Sequence, residues 1–244
     1  MWLLFAVGSA FFAGISAVLA KGGLHHIDSK LATALRTTVV LLFAWLLVFL
    51  SHSASALHTI ELKTWLFLIL SGIATGASWL CYFKALQKGP INQIVPIDKS
   101  STIITMLLAF ILFREPLTIF GILAMVLIAL GTYLMIDHSI VADSQQNLNH
   151  SWFFYALCSA IFASLTAILG KVGIEQVDSN LGTAIRTVVV FIMAWLIVIY
   201  NGKAQGIHRI HKKDWFLLIL SGIATGASWL CYFRALQIGP ASIV

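Results

Sequence analysis

Polar positions interrupt this chain at intervals of roughly 20 apolar residues. Eight apolar runs are readable, at about 2–20, 31–50, 65–86, 91–113, 117–136, 152–170, 181–200 and 215–236. Each is apolar all round rather than along one stripe. A helix of about 20 such residues crosses roughly 30 Å of hydrocarbon and satisfies its own backbone polar groups there. Barrel strands would read as shorter segments with polar and apolar positions alternating. The pattern predicts an all-α integral membrane protein, a multi-span helical bundle with the lipid bilayer as its solvent.

The first run has the length of a signal peptide, but it lacks a basic start, and its end, AVLA, is not a clean cleavage site. The same element recurs as SWFFYALCSAIFASLTAILG at 151–170, where no signal peptide lies. Both runs are expected to span.

That recurrence is general. A shift of 150 residues lays the chain over itself without a gap. LILSGIATGASWLCYF begins at Leu68 and again, unaltered, at Leu218, and Asp28-Ser29 meets Asp178-Ser179. LATALRT at 31 meets LGTAIRT at 181, and about half of the overlapping positions are identical. Three segments follow: a first repeat of five spans over 1–136, a polar linker over 137–150, and a second repeat over 151–244 holding three spans. Val244 aligns with Ile94, so counterparts of spans four and five are missing. The expectation is eight spans of a complete ten.

Five is an odd number of crossings. A second copy entering after five spans threads the membrane in the opposite sense, which makes the copies inverted repeats. Loop charge agrees. In the first copy Lys21, Lys30, Lys84 and Lys88 flank the first and third loops, and the middle loop holds Lys63. In the second copy the middle loop is the basic one, with Lys203, Arg209, Lys212 and Lys213 against Lys171 and Arg234. Opposite bias is what opposite orientation predicts, and it places the N-terminus outside.

Composition narrows the function classes. The chain is 60% hydrophobic and 10% charged, against about 25% charged in a soluble domain. Its net charge of +6 is assigned to cytoplasmic loops rather than to a nucleic-acid partner. Cys81, Cys158 and Cys231 sit inside apolar runs, without disulfide or metal-ligand spacing. His25-His26 suggests a metal pair, but its copy is Glu175-Gln176, and no metal site is assigned. There is no H-E-x-x-H, G-x-S-x-G or phosphate-binding loop. Neither an enzyme nor a cofactor is expected, and no catalytic residue is assigned.

The motifs resemble one family. LATALRT opening span two, SGIATGASWLCYFKALQKG through span three, VPIDKSST in span four and FREPLT after it resemble the five-span EamA unit of the drug/metabolite transporter superfamily. The resemblance covers essentially the whole chain and looks closest to short stand-alone members joined in tandem. It implies a ten-helix carrier of the bacterial inner membrane, with a substrate cavity between its halves. Members with this layout usually have both termini cytoplasmic, opposite to the charge count here.

Residues that carry chemistry follow from helix geometry. Ser71, Thr75, Ser78 and Tyr82 share one face of span three, as Ser221, Thr225, Ser228 and Tyr232 do in span eight. Gly72 and Gly76, and Gly222 and Gly226, form G-x-x-x-G pairs that admit a neighbouring helix. The hydroxyls either bond back to their own backbone or line a substrate path. Trp79 and Trp229 lie deep enough to pack in the core or to stack on a ligand. Of nine acids only Asp98 falls inside a span, which makes it the candidate for proton coupling. Lys99 follows it and need not pair with it, because adjacent helical residues diverge. With a helix starting at Ile91, Asp98 lies about 10 Å in; with one starting at Pro96, it is an N-terminal residue. Arg36 and Arg186 recur at the second turn of their spans. They either snorkel to headgroups or face a cavity that takes an anionic or carboxylate-bearing substrate.

These residues lead to a secondary carrier of small metabolites, an exporter in one version, working by alternating access. The other reading is a non-transporting interaction or scaffold subunit. A second copy of the chain, in a homodimer, is one source of the missing helices.

Overall fold

The computed structural model describes residues 1–23, 27–116, 118–135 and 151–242. The linker at 137–150 and the His25-His26 pair lie outside these. The described residues are helical, with no strand among them. In chain order the helices are α1 (Trp2–Gly23), α2 (Ser29–Leu50), α3 (Leu62–Lys88), α4 (Ile91–Lys99), α5 (Ser101–Phe113), α6 (Ile119–Met135), α7 (Ser151–Ile174), α8 (Ser179–Tyr200) and α9 (Lys212–Ile238). Short 3₁₀ turns at Ser53–Thr59 and Ala204–Arg209 precede α3 and α9.

Seven segments are long and apolar enough to cross a membrane, with Ile91–Phe113 taken as one. The eighth expected span, 117–136, is the shorter apolar helix α6. The expected single helix over 91–113 is divided at Ser100. Pro96 lies inside α4, where it can donate no backbone hydrogen bond. Four residues on, the Ser100 hydroxyl donates to the Ile97 carbonyl at 2.6 Å, competing with the backbone ladder. Ser100 stays in the right-handed region, with φ −63° and ψ −11°.

The helix starts are written locally. Asp28 caps α2 by accepting from the Lys30 N–H at 3.0 Å. Asp178 caps α8 by accepting from the Asn180 and Leu181 N–H groups at 3.1 and 3.3 Å. Arg114 ends α5 in the left-handed region at φ 54°.

The helices form two compact units, and each draws on both sequence copies. Unit 1 comprises Met1–Ile73 and Leu169–Gly239; unit 2 comprises Ala74–Ile168 and Pro240–Ile243. In unit 1, α1 packs along α9, and α2 packs on both α8 and α9. Glycines set these distances. A Cβ on Gly222 would sit 2.6 Å from the Val39 Cβ and 3.1 Å from the Arg36 carbonyl oxygen. One on Gly72 would sit 2.7 Å from the Val189 Cβ and 3.0 Å from the Arg186 carbonyl oxygen. Shifted by 150, these are the same contact. A Cβ on Gly226 would likewise meet Phe43 at 2.7 Å, and Gly76 is buried. Such absences of side chain let helix backbones approach where burial of apolar surface cannot drive association.

In unit 2, fully buried Ala85, Ile94 and Ala156 join α3, α4 and α7, with Tyr82, Trp152 and Tyr155 packed around them. Glu115 holds the chain after α9 by accepting from the backbone N–H groups of Ala241 and Ser242, both at 2.8 Å.

Two outcomes follow. Gly222→Leu lowers stability by about 1–3 kcal/mol, the cost of overpacking. Gly131→Leu on α6, where a Cβ meets nothing within 4 Å, changes it by less than about 0.5 kcal/mol. Thermal unfolding in detergent compares them, and equal losses would contradict the close-approach account. Glu115→Gln leaves one acceptor oxygen for two donors. Hydrogen exchange at Ala241 and Ser242 is then expected to quicken by about tenfold, the scale of one hydrogen bond to a charged group; unchanged protection would contradict the assignment.

Candidate functional site

The identical stretches in α3 and α9 make hydroxyl contacts to different partners, and the contacts match. In unit 1 the Ser228 hydroxyl lies 3.2 Å from the Ser9 hydroxyl and donates to the Ser9 carbonyl at 2.9 Å. In unit 2 the Ser78 hydroxyl lies 3.2 Å from the Ser159 hydroxyl and donates to the Ser159 carbonyl at 3.1 Å. Ser159 is Ser9 shifted by 150, and Ser228 is Ser78 shifted likewise. Further along, Ser16 and Thr225 hydroxyls are 2.6 Å apart in unit 1. Their counterparts Thr166 and Thr75 are 3.2 Å apart in unit 2. The hydroxyls are therefore spent largely on neighbouring helices rather than on their own backbone. Thr225 also donates to the Ser221 carbonyl at 2.8 Å, and Ser221 donates to the Ser16 carbonyl at 2.9 Å. Inside hydrocarbon a hydroxyl without such a partner has no water to fall back on.

The sequence pattern singled out Ser71, Thr75, Ser78, Ser221, Thr225 and Ser228. It missed Ser9, Ser16, Ser159 and Thr166, which are scattered in apolar runs. The 150-residue offset marks them, because each is a small hydroxyl residue repeated at the matching position.

Arg36 reaches this seam from α2. Its Nη2 donates to the Ser16 hydroxyl at 2.7 Å and to the Thr225 hydroxyl at 2.8 Å. Its Nε is buried without a hydrogen-bond partner among the described residues. Arg186, its copy, sits differently. It is 1% exposed, so it does not snorkel outward. Its guanidinium carbon lies 4.1 Å from the Phe233 ring centroid and 5.5 Å from that of Trp229. Its Nε donates to the Ser71 hydroxyl at 3.3 Å. A desolvated cation over an aromatic face gains about 2 kcal/mol. Tyr232 is partly buried beside Phe233, ring centroids 5.1 Å apart.

Asp98 belongs to unit 2. Because α4 starts at Ile91, Asp98 lies about 10 Å along it, at 1.5 Å per residue. Its side chain is 15% exposed. One carboxylate oxygen accepts from the Ser159 hydroxyl at 2.6 Å. The other lies 3.7 Å from the Lys99 Nζ, so the adjacent pair does interact. Lys99 is itself 76% exposed, and an exposed pair of this kind contributes about 0–1 kcal/mol. Ser159 has one proton and three acceptors in reach: the Asp98 carboxylate, the Ser78 carbonyl at 3.1 Å and the Ser78 hydroxyl oxygen at 3.2 Å. With Asp98 ionised, the proton points to the carboxylate. With Asp98 protonated, the acid donates to Ser159, which turns its own proton to Ser78. The α3–α7 contact thus offers the Ser159 proton an alternative to Asp98.

Trp79 and Tyr82 are partly buried in unit 2, and Tyr82 packs on the Ala85–Ile94–Ala156 core. Lys84 and Arg234 are exposed at the ends of their spans. The three cysteines are free and partly buried. No group of three or more His, Cys, Asp or Glu side chains suited to a metal occurs among the described residues.

Comparison with known proteins identifies the setting of these contacts. The EamA-like transporter family model matches residues 1–137 and 150–244. The chain is 50% identical over 97 residues to an uncharacterized transporter encoded in the cobO 3' region of a Sinorhizobium species, covering 40% of this chain and 69% of that protein. It is 22% identical over 161 residues to the uncharacterized transporter YxxF of Bacillus subtilis (strain 168), covering 66% of this chain and 50% of that protein. The match thus spans half the length of the Bacillus relative. With helices of membrane-crossing length and a family match over both halves, the chain is an integral membrane protein that belongs to the EamA-like transporter family.

Proposed function

We propose that the chain is a secondary carrier of small metabolites in the bacterial inner membrane, working by alternating access between inverted repeats. The observation that carries this reading is the matched pair of hydroxyl contacts, Ser9–Ser228 and Ser78–Ser159. Ser228 and Thr225 in unit 1 and their copies Ser78 and Thr75 in unit 2 meet partners that are themselves related by the 150-residue offset. A carrier that opens alternately to either side needs its two halves to exchange roles, and equivalent helix contacts make the exchanged arrangement close in energy to the first. A scaffold subunit needs the glycines but gains nothing from the repeated hydroxyls.

Asp98 couples transport to protons in this account. It is a carboxylate at membrane depth, where charge is costly, and its ionisation rewires the Ser159 contact. A proton taken up on one side favours one helix arrangement; its release on the other favours the second. Two similar arrangements are enough, since a ligand shifts an equilibrium by its differential affinity for the two states.

The protein in proteoliposomes is therefore expected to move members of a metabolite panel faster when a proton gradient is imposed. Asp98→Asn should remove that acceleration while leaving exchange without a gradient. Absence of flux for every substrate would overturn the carrier reading; gradient-driven flux unaffected by Asp98→Asn would overturn only the proton role. The loop charges place the linker at 137–150 inside. Single cysteines introduced there should be labelled by membrane-impermeant maleimide only after permeabilisation, and labelling in intact cells would reverse the orientation.

A further inference from the structure

The two repeated arginines occupy unlike environments, and the difference points to a cargo. Arg186 is sealed, 1% exposed, with Phe233 and Trp229 over it. Among the described residues of unit 1 no ring covers Arg36, which is partly buried. Arg36 lies on the second turn of α2, about 10 Å from its start at 1.5 Å per residue. A guanidinium at such depth is costly without a counter-charge. Among the described residues no carboxylate lies within ion-pair distance of it.

Its neighbours hold it without neutralising it. The Thr225 hydroxyl directs its proton to the Ser221 carbonyl at 2.8 Å. The Ser16 hydroxyl lies 3.3 Å from the same carbonyl and 2.6 Å from Thr225. Both therefore offer lone pairs to the Arg36 Nη2. That spends the two Nη2 donors. The Nε–H, buried without a partner, and the Nη1 donors are left over. Gly222 lets α9 approach the Arg36 backbone within van der Waals contact, so the group is fixed from both its main chain and its tip. Fixed donors with an unspent positive charge are a preorganised anion site.

We infer that Arg36 is the binding residue for the cargo's negative charge, and that the cargo is a small organic monoanion bearing a carboxylate. A single guanidinium matches a single negative charge, whereas a phosphate dianion at this depth calls for a second cation. Ser16 and Thr225 are positioning residues: they aim the guanidinium and do not touch the anion. This inference rests on the carrier reading and supplies its substrate class.

Two measurements separate the two ideas. The first is the thermal unfolding midpoint of the purified protein in detergent, read with a panel of monocarboxylates (lactate, pyruvate, propionate), with inorganic phosphate and with neutral lactamide. A monocarboxylate should raise the midpoint, while lactamide and phosphate should not. Arg36→Gln should weaken the apparent affinity by about tenfold or more, the loss expected for hydrogen bonds to a charged group. Arg36→Lys should recover part of it, and Lys84→Gln, which removes an exposed charge, should change nothing. Equal shifts by lactate and lactamide, a response to phosphate alone, no response to any monocarboxylate, or an unaltered response in Arg36→Gln would each overturn the inference. The second is proteoliposome uptake of the same panel. Carboxylate-specific stabilisation without any uptake would overturn the carrier reading and keep the anion site. Uptake of lactamide at the rate of lactate, insensitive to Arg36→Gln, would keep the carrier and overturn the anion site.

Discussion

A polar side chain placed at membrane depth must find its partner within the protein, because hydrocarbon offers none. The arrangement of this chain depends on that requirement. Serines and threonines at Ser9, Ser16, Ser78, Ser159, Thr75, Thr166, Thr225 and Ser228 are paired across helices. Hydrogen bonds between membrane helices contribute modestly, about 0.6 kcal/mol on average. Their larger effect is on register. A one-residue rotation of α9 along α1 would break the Ser9–Ser228, Ser16–Ser221 and Ser16–Thr225 contacts together. The glycines act in the same direction, since Gly222 and Gly72 accept a neighbouring backbone at one rotation only. Small residues set the distance between helices, and hydroxyls set which faces meet.

Charge is admitted to this frame at few places, and each is handled differently. Arg186 is covered by aromatic faces and bonded to Ser71. Asp98 is bonded to a serine whose proton has an alternative acceptor. Arg36 is aimed by two hydroxyls and left with donors unspent. Asp98 is proposed to take a proton and Arg36 an anion, and both attach to the repeated hydroxyl contacts. In the proposed mechanism, the seam that registers the helices is also where cargo and proton act on them.

The sequence made much of this legible, for physical reasons that also mark its limits. Eight apolar runs locate the helices, because length and hydrophobicity are local properties. The repeated stretch pointed to the hydroxyls and glycines of α3 and α9. Their partners in α1 and α7 were not singled out, since an isolated serine in an apolar run resembles any small residue; the 150-residue offset was the available signal. Direction around a helix was the weaker part. The second-turn position of Arg186 suits snorkelling as well as burial, and the choice is made by Phe233, far away in sequence. The break at Ser100 shows the same limit. Pro96 announces a weakened helix, but the break falls where a serine hydroxyl captures the Ile97 carbonyl.

The central claim is that two equivalent halves share the work of one transport cycle. It is tested most directly by measuring proteoliposome flux for Ser228→Ala and Ser78→Ala side by side with the unaltered protein. The account predicts that both substitutions slow flux, by factors within about threefold of each other, because each removes the same contact from one half; that spread corresponds to about 0.6 kcal/mol, the size of one such bond. Loss of transport in one variant with full activity in the other would contradict it.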